Sequence, residues 1–368
     1  MRYPIWSIFS TETEAISAIR ISEHTVMNVS ILIPAYNEEK TIRKTVLSCL
    51  SQTRAADEIV VVDDGSSDRT ADLVEMLTHA HPELRLVRLP ENTGNKSRAQ
   101  EQGLAYVTGD IIVTADADTL LDARFVERIL PHFEDPETTA VAGYVKSIEN
   151  NWLTASREID YAIGQDVYKR AQAFIGFVFV VPGCAAAFRA DTLKHELRFD
   201  HDTVAEDLDF TFQLHSLGRK VAFEPEAIVY TQDPPNLPSY VRQMLRWYGG
   251  NWENFRKHYR LSFKSPAASF EFASQFGDCL FFSVLLFAMP FVNPILYAKA
   301  FILFFLPQAV LVSLYAAVKR KRPDLFLYVP GYLLTRFVNA WVFIERFFQV
   351  ILRGKRESVW RRADRVTI

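Results

Sequence analysis

Residues 29–38 read VSILIPAYNE, a continuous apolar run that ends in a proline and is followed at once by polar residues. Such a run predicts a strand that is buried on both faces. Outward from it, predicted strands alternate with helical segments as far as residue 145; these strands are EIVVVD (58–63), LRLVRL (84–89), DIIVT (110–114) and a segment near 139–144. This alternation predicts right-handed crossovers, a largely parallel sheet and therefore an α/β fold.

Polar residues follow three of these strands at the point where each strand ends. They are Tyr36-Asn37-Glu38, Asp63-Asp64-Gly65 and Asp116-Ala117-Asp118. Open α/β sheets bind ligands beyond the carboxyl ends of their strands, so we expect the binding site there. Neither GxGxxG after the first strand nor a P-loop pattern is present, which argues against a nicotinamide or flavin cofactor.

Asp116 and Asp118 form a pair of carboxylates two residues apart at a strand end, where both can reach one divalent cation. Mg²⁺ takes one or two carboxylates and completes its shell with phosphates and water. Lys96 begins a predicted helix behind Thr93-Gly94-Asn95, where a cation and free N–H groups favour a diphosphate. The alternatives are a surface acidic pair and a solvated lysine.

Asp64 and the pair Glu206-Asp207 each allow two interpretations. Asp64 is not needed to cap the helix that Ser67 or Asp68 begins, so its carboxylate is available to a base or a ribose. The acidic pair Glu206-Asp207 contains a candidate general base for a hydroxyl, and otherwise is a solvated loop. A structural role for Asp64 remains the alternative.

Gln243, Arg246 and Trp247 share one face of a helix predicted over residues 239–258. A guanidinium can hold a phosphate through two hydrogen bonds, and an indole can stack on a sugar ring. The alternative is an Arg–Trp pair that anchors the helix at a membrane interface.

The distribution of charge separates the body of the chain from its end. The whole chain has 41 basic and 44 acidic residues, but residues 319–368 hold 12 basic and 4 acidic ones, leaving 29 and 40 for the rest. The acidic body argues against nucleic acid as a partner, and the basic end suits anionic lipid headgroups. The spacing of Cys49, Cys184 and Cys279 favours reduced thiols, and residues 1–28 lack the apolar run of a signal peptide.

Two long apolar runs follow the predicted α/β region. From Cys279 to Val318 the only charge is Lys299, which divides these 40 residues into runs of 20 and 19. Each run can span a bilayer core of about 30 Å, and the alternative is a buried core hairpin. A third apolar region, Leu325–Leu352, contains Arg336, Glu345 and Arg346 and is either a span or a helix in the interface.

The positive-inside rule puts the basic run at residues 319–322 in the cytosol, on the same side as the body. We expect Pro330-Gly331 to break a helix in the third region. The charges within that region and the basic tail behind it favour two spans plus an interfacial or re-entrant segment, with a cytosolic tail. Three spans are the alternative.

The expected divisions of the chain are an N-terminal extension (1–27), the catalytic domain (28–265), the membrane region (266–352) and the basic tail (353–368).

Seven segments, in order, resemble glycosyltransferase family 2, in particular the membrane-bound branch with cellulose, chitin, hyaluronan and poly-N-acetylglucosamine synthases and ceramide glucosyltransferases. The segments are ILIPAYNEEKTI (31–42), VVDDGSSDRT (61–70), NTGNKSRAQEQGL (92–104), TADADT (114–119), PGCAAAFR (182–189), AEDLDF (205–210) and QMLRW (243–247). The resemblance covers about residues 28–260. It departs from the family at Ala205, which stands where a threonine is usual, and in lacking an N-terminal transmembrane helix.

The resemblance implies a GT-A fold, an inverting mechanism and a UDP-sugar bound through Mg²⁺ or Mn²⁺. It implies a catalytic base at Asp207, a metal site at Asp118 and Asp116, and acceptor contacts from Trp247. The residues implied to bind the donor are Ala35, Glu38, Asp64, Asp116, Gln243 and Arg246. We also expect Lys96, from its place at a helix start, to bind the donor, and Glu206 to contact the acceptor.

The expected function is transfer of a sugar to a growing saccharide or glycolipid at the cell membrane, by a multi-pass protein whose catalytic domain is cytosolic. The expected partners are the nucleotide-sugar donor, the acceptor and membrane lipids, with an oligomer or partner membrane subunits left open. Two alternatives remain: single-sugar transfer to a polyprenyl phosphate or ceramide-like lipid, and a catalytically silent membrane subunit that binds nucleotide sugars.

Overall fold

A computed structural model describes residues 27–148 and 151–355 of the chain. The predicted N-terminal extension and all but the first residues of the predicted basic tail lie outside these ranges. Within them, one eight-stranded sheet has the strand order β3-β2-β1-β4-β7-β6-β8-β5. The strands are β1 (Val29–Ala35), β2 (Glu58–Asp63), β3 (Leu84–Arg88), β4 (Ile111–Thr114), β5 (Thr119–Leu121), β6 (Thr138–Ser147), β7 (Ala186–Arg189) and β8 (Lys220–Thr231).

The central strands are buried on both faces, as the apolar run at residues 29–34 predicts. Alternate residues of β1 pack into different cores, with Ile31 and Ile33 on one side of the sheet and Leu32 on the other. β1 pairs in parallel with both β2 and β4, and β2 pairs in parallel with β3. This half of the sheet confirms the predicted parallel arrangement.

The second half of the sheet is mixed. β7 pairs antiparallel with β4 and β6, β8 pairs parallel with β6, and the short β5 pairs antiparallel with β8. These antiparallel pairs are the part of the sheet that departs from the predicted, largely parallel arrangement.

Helices cover both faces of the sheet and continue beyond it. Those of the first half are α1 (Ile42–Leu50), α2 (Thr70–Thr78), α3 (Lys96–Gly103) and α4 (Phe125–Ile129). Those of the second half are α5 (Trp152–Ile163), α6 (Arg170–Phe174), α7 (Glu206–Ser216) and α8 (Leu237–His258). A π-helical turn at Gly164–Lys169 joins α5 and α6 into one continuous helix.

The C-terminal part is helical. Its α-helical segments are α9 (Pro266–Phe272), α10 (Cys279–Val292), α11 (Pro294–Ala300), α12 (Leu306–Arg320) and α13 (Val329–Arg346). π-helical and 3₁₀ turns join them into three long helices, Pro266–Val292, Pro294–Arg320 and Pro323–Leu352, each long and apolar enough to cross a membrane. An aromatic cluster that includes Trp252, Phe276 and Phe343 packs the first and third of these helices against the part of the protein before residue 266, which we call the body.

Two details of the sequence-based prediction for this region are wrong. The break between the first two long helices falls at Asn293, where the side chain accepts from the N–H of Leu296 and caps the next helix, and Lys299 lies inside that helix. Pro330 does not break the third helix, because it occupies the first turn of α13, where its missing N–H has no helical partner to lose.

Candidate active site

A cavity of about 480 Å³ opens at the carboxyl end of β4, between the sheet, α7, α8 and the third long helix. Eight of the predicted site residues line it: Lys96, Asp116, Asp118, Glu206, Asp207, Gln243, Arg246 and Trp247. Ala35, Glu38 and Asp64 do not line this cavity, but lie at the ends of β1 and β2. We call the eight residues that line the cavity the cleft group, and Ala35, Glu38 and Asp64 the strand-end group.

The strand-end group is held by hydrogen bonds within the protein. The Asp64 carboxylate accepts from both the backbone N–H and the hydroxyl of Thr93, each at 2.9 Å. The N–H of Asp64 donates to the carbonyl oxygen of Ala35 at 2.8 Å, and Glu38 accepts from the Thr41 hydroxyl at 2.9 Å. These hydrogen bonds hold the Asp64 carboxylate in place, and burial raises the pKa of this group. Donor binding by Asp64 stays a prediction.

Lys96 lies at the centre of the cleft group. Asn95 caps α3 by accepting from the N–H of Ser97, which places Lys96 at the first helical position. Its amine forms an ion pair with Asp116 and lies 3.6 Å from a carboxylate oxygen of Glu206. Burial alone would lower the pKa of this amine, but the nearby Asp116 and Glu206 carboxylates outweigh burial and raise it. Lys96 is therefore a fixed cation in the cleft.

Asp116 and Asp118 lie between β4 and β5, and Asp118 is buried. The described residues contain no group of three or more His, Cys, Asp or Glu side chains arranged to hold a metal ion. Two carboxylates fit Mg²⁺ or Mn²⁺ only if a ligand such as a diphosphate supplies other oxygens. The donor set therefore fits a cation that binds together with a phosphorylated substrate.

Asp207 occupies the first turn of α7, where its two carboxylate oxygens accept from backbone N–H groups. Oδ1 accepts from Leu208 at 2.8 Å and Oδ2 from Gly183 at 3.3 Å. Burial, and then repulsion by Glu206, raise the pKa of this carboxyl group. A carboxylate with a raised pKa is a stronger base, which suits proton abstraction from a hydroxyl.

The predicted face of α8 forms the opposite wall of the cavity. Asn236 caps this helix by accepting from the N–H of Ser239 at 3.0 Å. The side-chain carbonyl oxygen of Gln243 is buried and has no hydrogen-bond partner among the described residues. The Trp247 ring lies 5.3 Å from the guanidinium carbon of Arg157.

Arg157 was missed by the sequence-based prediction although it is central to this wall. It is buried, its Nε lies 3.4 Å from Asp233, and it stacks over the rings of Tyr161, Tyr240 and Trp247. The irregular composition of residues 150–235 concealed it. A usable signal was present, since polar residues recur every fourth position at 157, 161, 165 and 169.

The departure at Ala205 has a steric explanation. A Cβ atom at Gly250 of α8 would lie 2.5 Å from the Cβ of Ala205, so the two small residues permit close approach of the loop and the helix. Asn254 fixes the same contact by donating to the carbonyl oxygen of Ala205 at 3.0 Å. A larger residue at either position would push apart α8 and the start of α7.

We expect Gly250→Ala to lower the free energy of unfolding by about 1–3 kcal/mol, because the added methyl overpacks this contact. Denaturant unfolding of the purified protein measures the change. Gly277→Ala is the matched control, because a Cβ at Gly277 meets no atom within 4 Å. Equal stability of Gly250→Ala and the parent would contradict the close packing described.

Residues 30–195 match the family described as Glycosyl transferase family 2. This range contains all but the first residue of β1, the whole of β2 to β7, and the predicted site residues Asp64, Asp116 and Asp118. Residues 30–195 are therefore similar to a glycosyltransferase family 2 domain, the family that the seven segments resemble.

Relatives and solved structures agree with this assignment. The chain is 28% identical over 251 residues to a poly-beta-1,6-N-acetyl-D-glucosamine synthase of Staphylococcus epidermidis, covering 67% of this chain and 60% of that protein. It is 30% identical over 227 residues to the synthase of the same name from Staphylococcus aureus strain COL, covering 61% and 55%. The chain thus spans less than two thirds of the length of these relatives.

The fold is similar to that of a mannosyltransferase, PcManGT from Pyrobaculum calidifontis, solved in complex with GDP-Man and Mn²⁺. The TM-score is 0.61 at 23% sequence identity, and the match covers 89% of this chain and 88% of that one. This likeness confirms the expected GT-A fold.

Proposed function

We propose that this protein is an inverting glycosyltransferase that moves a sugar from a nucleotide diphosphate sugar to a saccharide or glycolipid acceptor at a membrane. The observation that carries the proposal is the convergence of a candidate base, fixed cations and a paired carboxylate site in one cavity at the strand ends. Catalysis of sugar transfer needs these three elements within reach of one another.

The proposed reaction begins with the acceptor positioned against Trp247 and Glu206. Asp207 removes the proton from the acceptor hydroxyl, and the resulting oxygen attacks the anomeric carbon on the face opposite the diphosphate. The bond from the anomeric carbon to the diphosphate breaks, and the configuration inverts. Lys96 and Arg246 stabilise the negative charge that develops on the departing nucleoside diphosphate.

Mg²⁺ or Mn²⁺ would be held by Asp118 and Asp116 and would neutralise part of the diphosphate charge. The Mn²⁺ in the PcManGT complex supports a divalent cation here. Lys96 already neutralises Asp116 in the protein alone. We propose a UDP-sugar as donor because of the likeness to the poly-N-acetylglucosamine synthases, and GDP-Man is the competing donor.

Transfer of a single sugar to a lipid acceptor is the second candidate, and one observation favours it. Arg336 and Asn339 of the third long helix line the same cavity as Asp207. A cavity that reaches an apolar helix can receive a headgroup while the lipid tail remains in the membrane.

The test is incubation of the purified protein in detergent with a panel of UDP- and GDP-sugars, Mn²⁺ or Mg²⁺, and saccharide or lipid-linked acceptors. We expect one donor to give acceptor-dependent release of nucleoside diphosphate and a product of measurable length. Tight binding of a donor without release under any of these conditions would support the silent subunit instead.

The packing of the long helices supports a specific membrane arrangement. The first long helix begins against the body, where Phe272 and Phe276 are buried, and reaches an exposed end at Phe291, which is 89% exposed. The second returns, and Arg320 at its end pairs with Glu158 and Asp166 of the body. A hairpin that leaves and rejoins the body agrees with two spans and a cytosolic catalytic domain.

The third long helix follows the body instead of leaving it. Asn339 accepts from the Tyr240 hydroxyl at 2.7 Å, the carbonyl oxygen of Phe343 accepts from Trp252 at 3.1 Å, and that of Val350 accepts from Arg256 at 3.5 Å. Four of its exposed apolar residues recur at intervals of seven, at 327, 334, 341 and 348. One face on protein and one apolar face outward fit a helix that lies in the membrane interface.

We therefore expect the C-terminal tail to stay cytosolic. Thr367→Cys, at a position outside the described residues and in a chain with its three native cysteines replaced, should not react with a membrane-impermeant maleimide in intact cells. Val292→Cys at the tip of the hairpin should react and is the matched control. Labelling of Thr367→Cys without permeabilisation would establish three spans and contradict the interfacial arrangement.

A further inference from the structure

One wall of the cavity is a single face of the helix that runs from Trp152 to Phe174. Arg157, Tyr161, Gln165 and Lys169 recur every four residues and all line the cavity. The last two lie in the π-helical turn Gly164–Lys169, where the wider helical turn departs from α-helical spacing. Such turns are frequent at functional sites.

The two halves of this wall differ in how their polar groups are satisfied. Arg157 and the Tyr161 hydroxyl both contact Asp233, so the first half is bonded within the protein. Gln165 is only 8% exposed, and its side-chain carbonyl oxygen has no hydrogen-bond partner within residues 27–148 and 151–355. Lys169 is 5% exposed. Its amine lies 5.7 Å from the centre of the Phe223 ring and forms no hydrogen bond or ion pair with the residues that the structure describes.

A buried polar atom without a hydrogen-bond partner is costly, so the Gln165 carbonyl oxygen, one helical turn from the Lys169 amine on the same cavity wall, indicates a ligand that supplies the partner. We propose that Gln165 and Lys169 form a saccharide subsite for the acceptor, which recognises a hydrogen-bond donor and acceptor held side by side on the sugar. Adjacent hydroxyls present this chemistry, and so does an acetamido group. This inference rests on the proposed glycosyltransferase function.

The subsite lies on the acceptor side of the cleft. At one end of the wall, Arg157 stacks on Trp247, the proposed acceptor platform, at 5.3 Å. At the other end, Lys169 lines the cavity together with the candidate base Asp207, and Asp116 is paired with Lys96. The wall thus connects the platform to the base, which is the path an acceptor sugar must occupy.

The charge of the cavity favours a neutral sugar over an anionic acceptor. Six carboxylates line it, Asp116, Asp118, Asp160, Glu206, Asp207 and Asp233, against five cations, Lys96, Arg157, Lys169, Arg246 and Arg336. Burial lowers the pKa of the Lys169 amine to about 8, since no carboxylate is paired with it. The Lys169 amine, which lines the same cavity as Asp207, is therefore suited to donate a hydrogen bond to a sugar oxygen.

The experiment compares Gln165→Leu and Lys169→Met with the parent in steady-state transfer. We expect each to raise the KM for acceptor by about 10- to 100-fold, the usual effect of removing one hydrogen bond to a buried polar partner. Donor binding and acceptor-independent release of nucleoside diphosphate should stay within about twofold. Arg170→Met, which removes the adjacent exposed cation, is the matched control and should leave all three values unchanged.

The acceptor panel pairs saccharides that carry an acetamido group with matched saccharides that carry a hydroxyl there, and includes one acidic saccharide. A KM penalty confined to the acetamido series, or to the hydroxyl series, supports the subsite and identifies its ligand. An unchanged KM in both series, or a penalty confined to the acidic saccharide, overturns it. Absence of transfer by the parent is the separate outcome that rejects the proposed function.

Gln165→Asn and Lys169→Arg provide the same readout with smaller disturbance of the helix. These conservative variants are used if Gln165→Leu or Lys169→Met also loses donor binding, because that loss would show that the truncated variant is misfolded. We expect a rise in the acceptor KM for both, because shortening or widening the polar group moves it away from the sugar. A KM equal to that of the parent in both variants also overturns the subsite.

Discussion

Asp207→Asn is expected to lower the rate of sugar transfer by about 10²–10⁴-fold, the usual contribution of a general base, while donor affinity changes less than about twofold. The amide keeps the size of the carboxylate, and its oxygen can still accept from the N–H of Leu208 at 2.8 Å; only the longer bond from Gly183, at 3.3 Å, is lost. It cannot remove a proton from the acceptor. The loss is therefore confined to the chemical step.

The pH dependence of transfer gives a second readout for the same residue. Burial raises the pKa of the Asp207 carboxyl group above its ordinary range. The base acts only when deprotonated, so transfer should fall as the pH decreases through this raised pKa. That acid limb should disappear from the residual activity of Asp207→Asn.

Initial rates and calorimetric binding of the nucleoside diphosphate measure the two effects separately. Asp200→Asn is the matched control, because Asp200 contacts Lys257 and does not line the cavity. Activity of Asp207→Asn within a few-fold of the parent would remove this residue from the mechanism. A parallel loss of donor binding would assign Asp207 to substrate binding instead.

The sequence was most informative where a local pattern specifies both the element and its neighbours. The apolar runs of β1, β2 and β4 are fully buried between two layers of helices, so their composition alone identifies them as central strands. The carboxyl ends of such parallel strands lie at the same edge of the sheet. The sequence alone therefore predicts that Asp116 and Asp118 lie in a crevice at that edge.

The rest of the site depends on contacts between distant segments, which no local pattern encodes. Lys96 meets Asp116 and Glu206 because α3 and α7 approach the end of β4 from different directions. Arg157 owes its position to Asp233, a residue 76 positions away. The lack of a hydrogen-bond partner for the Gln165 carbonyl oxygen among the described residues likewise becomes visible only when the surrounding helices are in place.

Ala205 illustrates the same limit for a single substitution. In the sequence it is an unexplained departure from a usual threonine, with one hydroxyl lost. In the fold it faces Gly250 across a contact that has no room for a larger side chain. The residue that explains Ala205 is thus 45 positions further along the chain, on α8.

Asp118→Ala is expected to remove the effect of divalent cations on nucleotide binding. In the parent, chelation by EDTA should weaken binding of the nucleoside diphosphate by at least about tenfold, since loss of a group that supports a metal site commonly costs 10- to 100-fold. Asp118 is buried at the strand end, and Lys96 neutralises part of the charge on Asp116. We therefore expect Asp118 to contribute most of the protein's affinity for the cation.

The measurement is calorimetric titration of parent and variant with UDP and with GDP, each in Mn²⁺ and in EDTA. Asp118→Ala should bind weakly in both buffers, with the affinity that the parent shows in EDTA. Asp122→Asn is the matched control, because Asp122 follows β5, accepts from the N–H of Arg124 at 3.1 Å and does not line the cavity. Equal affinity of the parent with and without the cation would show that Lys96 and Arg246 hold the diphosphate unaided, and Asp116 and Asp118 would then need another role in the cleft.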